Sequence, residues 1–130
     1  MKLGDDDDVN RFILSSSCYY RNIQIVRDLE EENPWLTSYD PDKLNDAESI
    51  QIAEKYKMTK ETIKETQRVL QIIRNLYGNS ARDIVWEACV SRVSIRIIAG
   101  HYGKTPKPFT RKIHQWIHDA VEVSNRTEFR

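Results

Sequence analysis

The feature that most constrains this chain is a stretch of 36 residues, 42–77, that contains neither glycine nor proline. Glycine and proline interrupt regular secondary structure more often than other residues, so a stretch of this length without them favours helix. Apolar residues recur in it at intervals of three and four, and no part of the chain shows the sustained two-residue alternation of a strand. The sequence therefore predicts an all-α fold, a small multi-helix domain with helix-turn-helix elements.

Turn-forming residues divide the chain into the expected helices. A helical stretch over 9–32 is predicted in two pieces, because the weak helix formers 15–17 lie within it, and Asn33-Pro34 ends it. Further helices are predicted over 43–56, 59–77, 80–92, from about Ser94, and over 107–122, with Gly78 as a stop. Thr105 and Pro106 suit the N-cap and the first position of the last helix. Its predicted buried face comprises Phe109, Ile113, Trp116, Ile117, Ala120 and Val121.

The distribution of charge is uneven although the net charge is zero. Residues 1–50 carry 5 basic and 12 acidic side chains, a net −7, and residues 51–130 carry 15 and 8, a net +7. This asymmetry is typical of an acidic arm beside a body that faces nucleic acid, although a dipolar protein without a polyanion partner would also show it. We predict an acidic N-terminal helical arm and loop (1–42), with Asp5–Asp8 solvated, a helical body (43–123) and a frayed polar tail (124–130).

Two segments match the pattern of a helix-turn-helix, which needs a small residue where the helices cross, a tight turn and an apolar pin in the second helix. The first candidate is Ser49–Leu70, with Ala53 at the crossing, residues 57–59 as the turn and Ile63 as the pin. Lys57 stands where glycine is customary. Its predicted DNA-facing residues, the secondary set, are Lys57, Thr59, Lys60, Thr62 and Lys64.

The second candidate is Ser94–Val121, in which Ala99 marks the crossing and Gly103 the turn. Basic side chains suit contacts with phosphates, and arginine and glutamine suit bidentate contacts with base edges. The predicted DNA-facing residues are Lys104, Thr105, Lys107, Thr110, Arg111, Lys112, His114 and Gln115.

The segment Tyr77–Val121 contains ARDIVW, the 99–103 turn and FTRKIHQWI. It resembles the C-terminal DNA-reading region of phage late-gene transcriptional regulators, whose helix-turn-helix is similar to that of sigma factors. The resemblance implies an N-terminal helical region, a long helix and a reader formed by Thr105, Lys107, Thr110, Arg111, Lys112 and Gln115. We expect a DNA-binding transcriptional regulator with double-stranded DNA as its partner, and RNA polymerase or a second copy of the chain as further candidate partners.

Apart from the two helix-turn-helix candidates, we find no motif in the sequence that predicts a function, and none predicts catalysis. His114 and His118 share a helix face, but no metalloprotease glutamate follows and no cysteine cluster lies nearby, so we expect an exposed pair and no metal. A phosphate loop and a nucleophile elbow are absent from the sequence, so we expect no cofactor and no enzyme activity. Cys18, Cys89 and the three tryptophans are predicted to pack as core residues.

The sequence also bears on the cellular location of the protein and leaves two alternative functions open. No apolar stretch approaches the ~18 residues of a membrane span, and no signal peptide is recognisable, so we expect no membrane partner and a cytoplasmic protein. One alternative is a helical protein-interaction adaptor of cyclin-like layout, built from the helices over 43–56, 59–77, 80–92 and 107–122. The other is a small terminase-type DNA-recognition subunit.

Overall fold

The structure, a computed structural model, describes residues 6–128, with side chains as far as residue 126. This part of the chain is all-helical and contains no strand, which confirms the predicted fold class. The helices are α1 (Asp7–Ser17), α2 (Tyr19–Glu32), α3 (Ala47–Tyr77), α4 (Asn79–Val85), α5 (Ile95–His101) and α6 (Pro106–Glu128). Two short 3-10 turns, Pro34–Thr37 and Pro41–Lys43, connect α2 to α3, and a π-helical turn, Trp86–Val90, continues α4. No helix of the described chain is long and apolar enough to cross a membrane.

Most of the predicted helix boundaries are confirmed. The N-terminal stretch is divided at Cys18, and α2 ends at Asn33, whose amide donates to the carbonyl of Leu29. Gly78 ends α3 with a φ of 97°, a backbone angle that side chains with a Cβ rarely adopt. α6 begins at Pro106, as expected for a proline in the first helical position. The fourth helix is shorter than predicted, because regular α-helix ends at Val85 and the π-helical turn replaces its second half.

The central part of the chain differs from the prediction, because α3 is one continuous helix through residues 57–59. The predicted helices over 43–56 and 59–77, with a turn between them, are therefore wrong. The Thr59 hydroxyl donates to the Lys55 carbonyl at 2.7 Å and the Thr62 hydroxyl to the Met58 carbonyl at 3.0 Å. Both threonines thus bond back into the helix that contains them, so Thr59 does not cap a new one. α3 instead begins after Asp46, whose carboxylate caps the amide of Ser49.

Two clusters of buried apolar residues hold the helices together. The main core lies between α1, the C-terminal half of α3, α4, α5 and α6, and its fully buried members include Val69, Ile73, Val85, Ile98, Ile113 and Ile117. The predicted buried face of α6 is confirmed at all six positions. A smaller cluster of Leu29, Leu36, Ala53 and Tyr56 packs α2 against the N-terminal half of α3. α3 therefore links the two clusters.

The three tryptophans and Cys89 contribute to these clusters, whereas Cys18 belongs to neither, so its predicted core position is wrong. Trp116 is buried in the main core, while Trp86 and Trp35 are partly buried against the main and the smaller cluster respectively. Cys89 is buried, and burial raises the pKa of its thiol to about 12. A thiol with that pKa stays protonated at neutral pH, so Cys89 packs as a small apolar group, as predicted. Cys18 is half-buried.

At both ends of the described range, residues 6–128, more of the chain is helical than the sequence predicted, and residues 129 and 130 of the predicted tail lie outside that range. Asp6 is the N-cap of α1 and accepts a hydrogen bond from the Val9 amide at 3.1 Å, while Asp7 and Asp8 occupy its first turn. Carboxylates are favourable there because the free amides of a helix N-terminus are partly positive. Asp7 and Asp8 are exposed, as predicted, whereas Asp6 is half-buried, so the predicted solvated arm is wrong at Asp6; Asp5 lies outside the described residues. The frayed tail is wrong for 124–128, since α6 continues through them and Ser124 is fully buried.

Candidate nucleic-acid interface

The turn between α5 and α6 has the hydrogen bonds of a Schellman motif. The amide of Lys104 donates to the Ala99 carbonyl at 2.9 Å, and the amide of Gly103 donates to the Gly100 carbonyl at 3.2 Å. Gly103 has a φ of 63°, in the left-handed region where a residue without a Cβ is favoured. The predicted turn is therefore present here, and the glycine that the sequence places at 103 supplies its geometry.

A shared apolar contact fixes the two helices on either side of this turn. Ile98 and Ala99 of α5 are fully buried in the same core as Phe109 and Ile113 of α6. The Tyr102 ring stacks on the Phe109 ring, with 6.0 Å between their centroids. Because Ala99 has a small side chain, the second helix can approach it closely, as the helix-turn-helix pattern requires.

The first turn of α6 is poor in amide donors. Pro106 and Pro108 have no N–H, and the Phe109 amide already donates to the Thr105 carbonyl at 3.3 Å. The free amides of a helix N-terminus often bind phosphate, but here two of the first four are absent. An anion bound at this end of α6 would therefore be held mainly by side chains.

The structure exposes most of the predicted DNA-facing residues of this segment. Lys104, Thr105, Lys107, Arg111, Lys112 and Gln115 are exposed. Thr110 is half-buried, and its hydroxyl donates to the Pro106 carbonyl at 2.9 Å. The exposure predicted for His114 is wrong, because only 6% of its surface is accessible. Asp6 and Val9 line the same cleft as His114, so the start of α1 covers this flank of α6.

The surface around the turn is positively charged. Residues 88–118 contain six lysines and arginines and no aspartate or glutamate. All six are exposed, and none of them forms an ion pair within the part of the chain that the structure describes. They are Arg92, Arg96, Lys104, Lys107, Arg111 and Lys112. We call these six side chains together the basic face. Lys104 and Lys112 line one groove, Arg111 lines a cleft that also contains Asp6, and along α6 the set ends before Asp119 and Glu122.

The secondary set on α3 has a different setting. Lys57 and Lys64 are exposed, but Thr59, Lys60 and Thr62 are half-buried. The Lys60 ammonium lies 4.8 Å from the centroid of the Tyr56 ring and donates to its hydroxyl at 3.3 Å. Without a turn at 57–59, this segment has no second helix whose start could project from the surface. Its five residues therefore lie along one continuous helix with no helix-turn-helix to position them.

A contact that the sequence did not reveal joins the start of the chain to α6. The His118 Nδ1 lies 2.6 Å from a carboxylate oxygen of Asp6. This hydrogen bond raises the pKa of His118, helped by the nearby charges of Asp6, Glu122 and Asp119. Burial pushes the pKa of Asp6 upward, but hydrogen bonds from the Val9 amide and His118 outweigh it, so the pKa of Asp6 is lowered. A run of four aspartates gives no sign of which one will find a partner 112 residues away.

The two histidines of α6 thus differ in environment, although they are one turn apart. Burial lowers the pKa of His114, and its Nε2 has no hydrogen-bond partner among the described residues. The predicted exposed pair is therefore wrong at His114. His118, Asp119 and Glu122 place one ligand-type atom each within 4.8 Å of one another and are the residues of the described chain that could hold a metal ion. They lie near the surface, where such carboxylates also occur without a metal.

Comparisons of this chain with protein-family models, curated proteins and solved structures give no match. The resemblance to phage late-gene regulators stays a prediction. The function proposed for the chain is therefore supported by the basic face and by the geometry of the α5–α6 turn.

Proposed function

We propose that this chain is a DNA-binding protein that contacts double-stranded DNA through the basic face, with the start of α6 as the reading element. The observation that carries the proposal is the exposure of six basic side chains that form no ion pair with the described residues, in a 31-residue segment without a carboxylate; the Lys112 ammonium lies 5.8 Å from the centroid of the Trp116 ring. Lysines and arginines that neutralise phosphates release condensed counterions from DNA, which favours binding. Among residues 6–126, whose side chains the structure describes, no ion pair has to be broken first at these six positions.

The residues of the basic face divide into two roles. Lys104, Lys107 and Lys112 surround the first turns of α6 and would contact phosphates, because that turn offers few amides to do so. Arg111 and Gln115 are one turn apart on the exposed side of α6 and would contact base edges. The Gln115 amide donates to the Asp119 carboxylate at 2.8 Å, a bond that restricts its rotamer. A phage-type regulatory role is the specific form of this proposal and comes from the resemblance.

The structure is compatible with one of the two alternative functions and lacks the helices that the other requires. A cyclin-like adaptor layout needs separate helices over 43–56 and 59–77, and the continuous α3 does not provide them. A terminase-type subunit would use the same basic face on DNA, so it remains within the proposal of DNA binding.

Binding of a labelled random-sequence duplex, measured by anisotropy over a salt series, tests the proposal. With four lysine or arginine contacts, we expect log K to fall with log salt concentration at a slope of about −3.6. Reversing four charges of the basic face (Lys104, Lys107, Arg111 and Lys112, each to Glu) should abolish binding. The matched control reverses four charges on α3 (Lys55, Lys57, Lys60 and Lys64, each to Glu) and should retain most of it. Equal losses in both variants would mean that net charge alone drives binding and would overturn the assignment.

A further inference from the structure

A groove of about 390 Å³ lies beside the basic face, between the start of α4 and the α5–α6 turn. Ile84, Phe109 and Trp116 contribute to its apolar lining, and Ser80, Lys104 and Lys112 contribute polar groups. Its volume suits one or two large side chains, and an apolar cavity with a few polar groups is the usual form of a binding site.

Two half-exposed tyrosines also line the groove. Tyr77 is 44% exposed and packs against Trp116 at a centroid distance of 6.1 Å, and Tyr102 is 42% exposed and stacks on Phe109. Aromatic surface of this kind is enriched in protein interfaces, where it is covered by the partner. The groove therefore offers apolar surface that gains from being covered.

The charge of the groove specifies the chemistry of the occupant. Lys104 and Lys112 line it, and no aspartate or glutamate does. The Asp119 carboxylate, which accepts a hydrogen bond from the Tyr77 hydroxyl, is not among the lining residues. An occupant with carboxylates next to an apolar side chain would complement both lysines and the apolar lining.

We propose that this groove binds a short acidic peptide segment of a partner protein, with one large apolar side chain against the exposed ring surfaces of Tyr77 and Tyr102 and carboxylates against Lys104 and Lys112. A nucleobase fits less well, because Tyr102 already packs on Phe109 and Tyr77 on Trp116, so neither tyrosine ring can be sandwiched between two bases. The inference does not depend on DNA binding. It does imply that peptide and DNA compete, since Lys104 and Lys112 belong to both surfaces.

The test uses the full chain and three fluorescein-labelled nonapeptides: EDDFEELDE, the charge-only control EDDSEESDE and the apolar-only control QNNFQQLNQ. We expect the first to bind at least about tenfold more tightly than either control, because only it supplies both interactions. Chemical-shift changes in ¹⁵N–¹H spectra should be confined to amides at 77–84 and 102–116. Equal affinity for all three peptides, or shifts elsewhere on the molecule, would overturn the proposal.

A variant pair locates the binding to the groove. Ser80 is exposed in the first turn of α4 and lines the groove, so Ser80→Glu adds a repelling carboxylate at a position where helix ends favour acidic residues. Its neighbour Asn79 is also exposed and does not line the groove, so Asn79→Glu is the control with the same charge change. Ser80→Glu should weaken peptide binding at least about fivefold, and Asn79→Glu should leave it nearly unchanged. Equal weakening by both would overturn the assignment to this groove.

Two further outcomes separate this inference from the proposed function. A thymidine decamer that binds in a Ser80→Glu-sensitive manner, with no binding of the acidic peptide, would make the groove a nucleotide site and overturn the peptide proposal. Peptide binding without duplex binding would overturn the proposed function and leave the groove assignment intact.

Discussion

The segments Ser49–Leu70 and Ser94–Val121 match the same side-chain pattern, yet only the second folds as two helices joined by a turn. Both have an alanine where helices would cross and an apolar residue to pin them, and any amphipathic helix can satisfy those positions. The second segment also has Gly103, at a positive φ, and Pro106 at a helix start. The first has Lys57-Met58-Thr59, three residues that helix accommodates. Residues with special backbone requirements at the turn therefore distinguish two helices joined by a turn from one continuous helix with the same side-chain pattern.

The two segments also differ in how their charges are arranged. On α3 the lysines alternate with Glu54, Glu61 and Glu65, so the surface is of mixed sign. Around the α5–α6 turn, basic residues follow one another without a carboxylate from 88 to 118. Mixed charge is typical of a solvated helix, whereas a block of one sign forms a field that attracts a polyanion.

The largest expected effect comes from the buried face of α6. Trp116→Ala should lower the free energy of unfolding by roughly 3–5 kcal/mol, because it leaves a cavity under Tyr77 in the main core. Met58→Ala, at the predicted central turn, is the control and should change it by less than about 0.5 kcal/mol, since Met58 is 67% exposed. Urea denaturation measures both. A large loss at Met58 would mean that the surface of α3 is covered in solution.

Proline substitution tests the continuity of α3 directly. If Thr59 were an N-cap, Lys60 would be the first helical residue and would tolerate proline. In the continuous helix, Lys60→Pro removes an interior hydrogen bond and should cost about 3 kcal/mol or more. Lys107→Pro, in the first turn of α6, is the matched control and should cost less than about 1 kcal/mol. Near-neutral stability of Lys60→Pro would restore the predicted turn at 57–59.

The sequence predicted the fold class and the position of the α5–α6 turn because both depend on local signals: apolar spacing, glycine and proline. It did not predict the burial of His114, which results from α1 covering one flank of α6, a contact between opposite ends of the chain. The same limit applies to Asp6 and Ser124, since a capping aspartate and a buried serine are chemically indistinguishable in sequence from solvated ones. Local pattern thus identified the elements, whereas long-range packing decided which side chains of α6 remain free.

The affinity for duplex DNA should also distinguish the two segments, by a smaller free-energy change than the stability losses above. Arg111→Ala removes an exposed contact of the basic face and should weaken duplex binding by about 1–3 kcal/mol without unfolding the protein. Lys60→Ala should weaken it by less than about 0.5 kcal/mol, because that ammonium is already occupied by Tyr56 and has no helix start to present it. Anisotropy titrations at one salt concentration measure both affinities. If Lys60→Ala abolished binding and Arg111→Ala retained it, α3 would be the DNA-binding element.

The smallest expected effect concerns the hydrogen bond between His118 of α6 and Asp6 at the start of α1, a polar contact that α6 has in addition to the apolar core it shares with α1 and α3. Because the pKa of His118 is raised, its stabilising contribution is fully present below the ordinary histidine pKa near 6.5 and is lost as pH rises through the raised value. Because the pKa of Asp6 is lowered, its stabilising contribution is fully present above the ordinary value of 3.8 and is lost only as the pH falls through the lowered value. His118→Ala should therefore lower the unfolding free energy at pH 5 by less than about 1 kcal/mol, as for exposed ion pairs, and by much less at pH 8.5.

His114 sharpens this pH profile because its pKa shift has the opposite sign. Burial lowers the pKa of His114, so its contribution is present above pH 6.5 and is lost as the pH falls through its lowered value. In the wild type, the stabilising contribution of His118 grows as that of His114 is lost. The His118→Ala variant lacks this compensation, so its free energy of unfolding should fall further below that of the wild type as the pH is lowered from 7 to 5.

Asp6→Asn is the matched variant, because an asparagine can still cap α1 at the Val9 amide while losing the charge that faces His118. At pH 5, the double variant His118→Ala/Asp6→Asn should have a free energy of unfolding no lower than that of the less stable single variant. This is expected when two residues act through one bond. Equal losses at pH 5 and 8.5 would show that His118 stabilises α6 by packing instead of by charge.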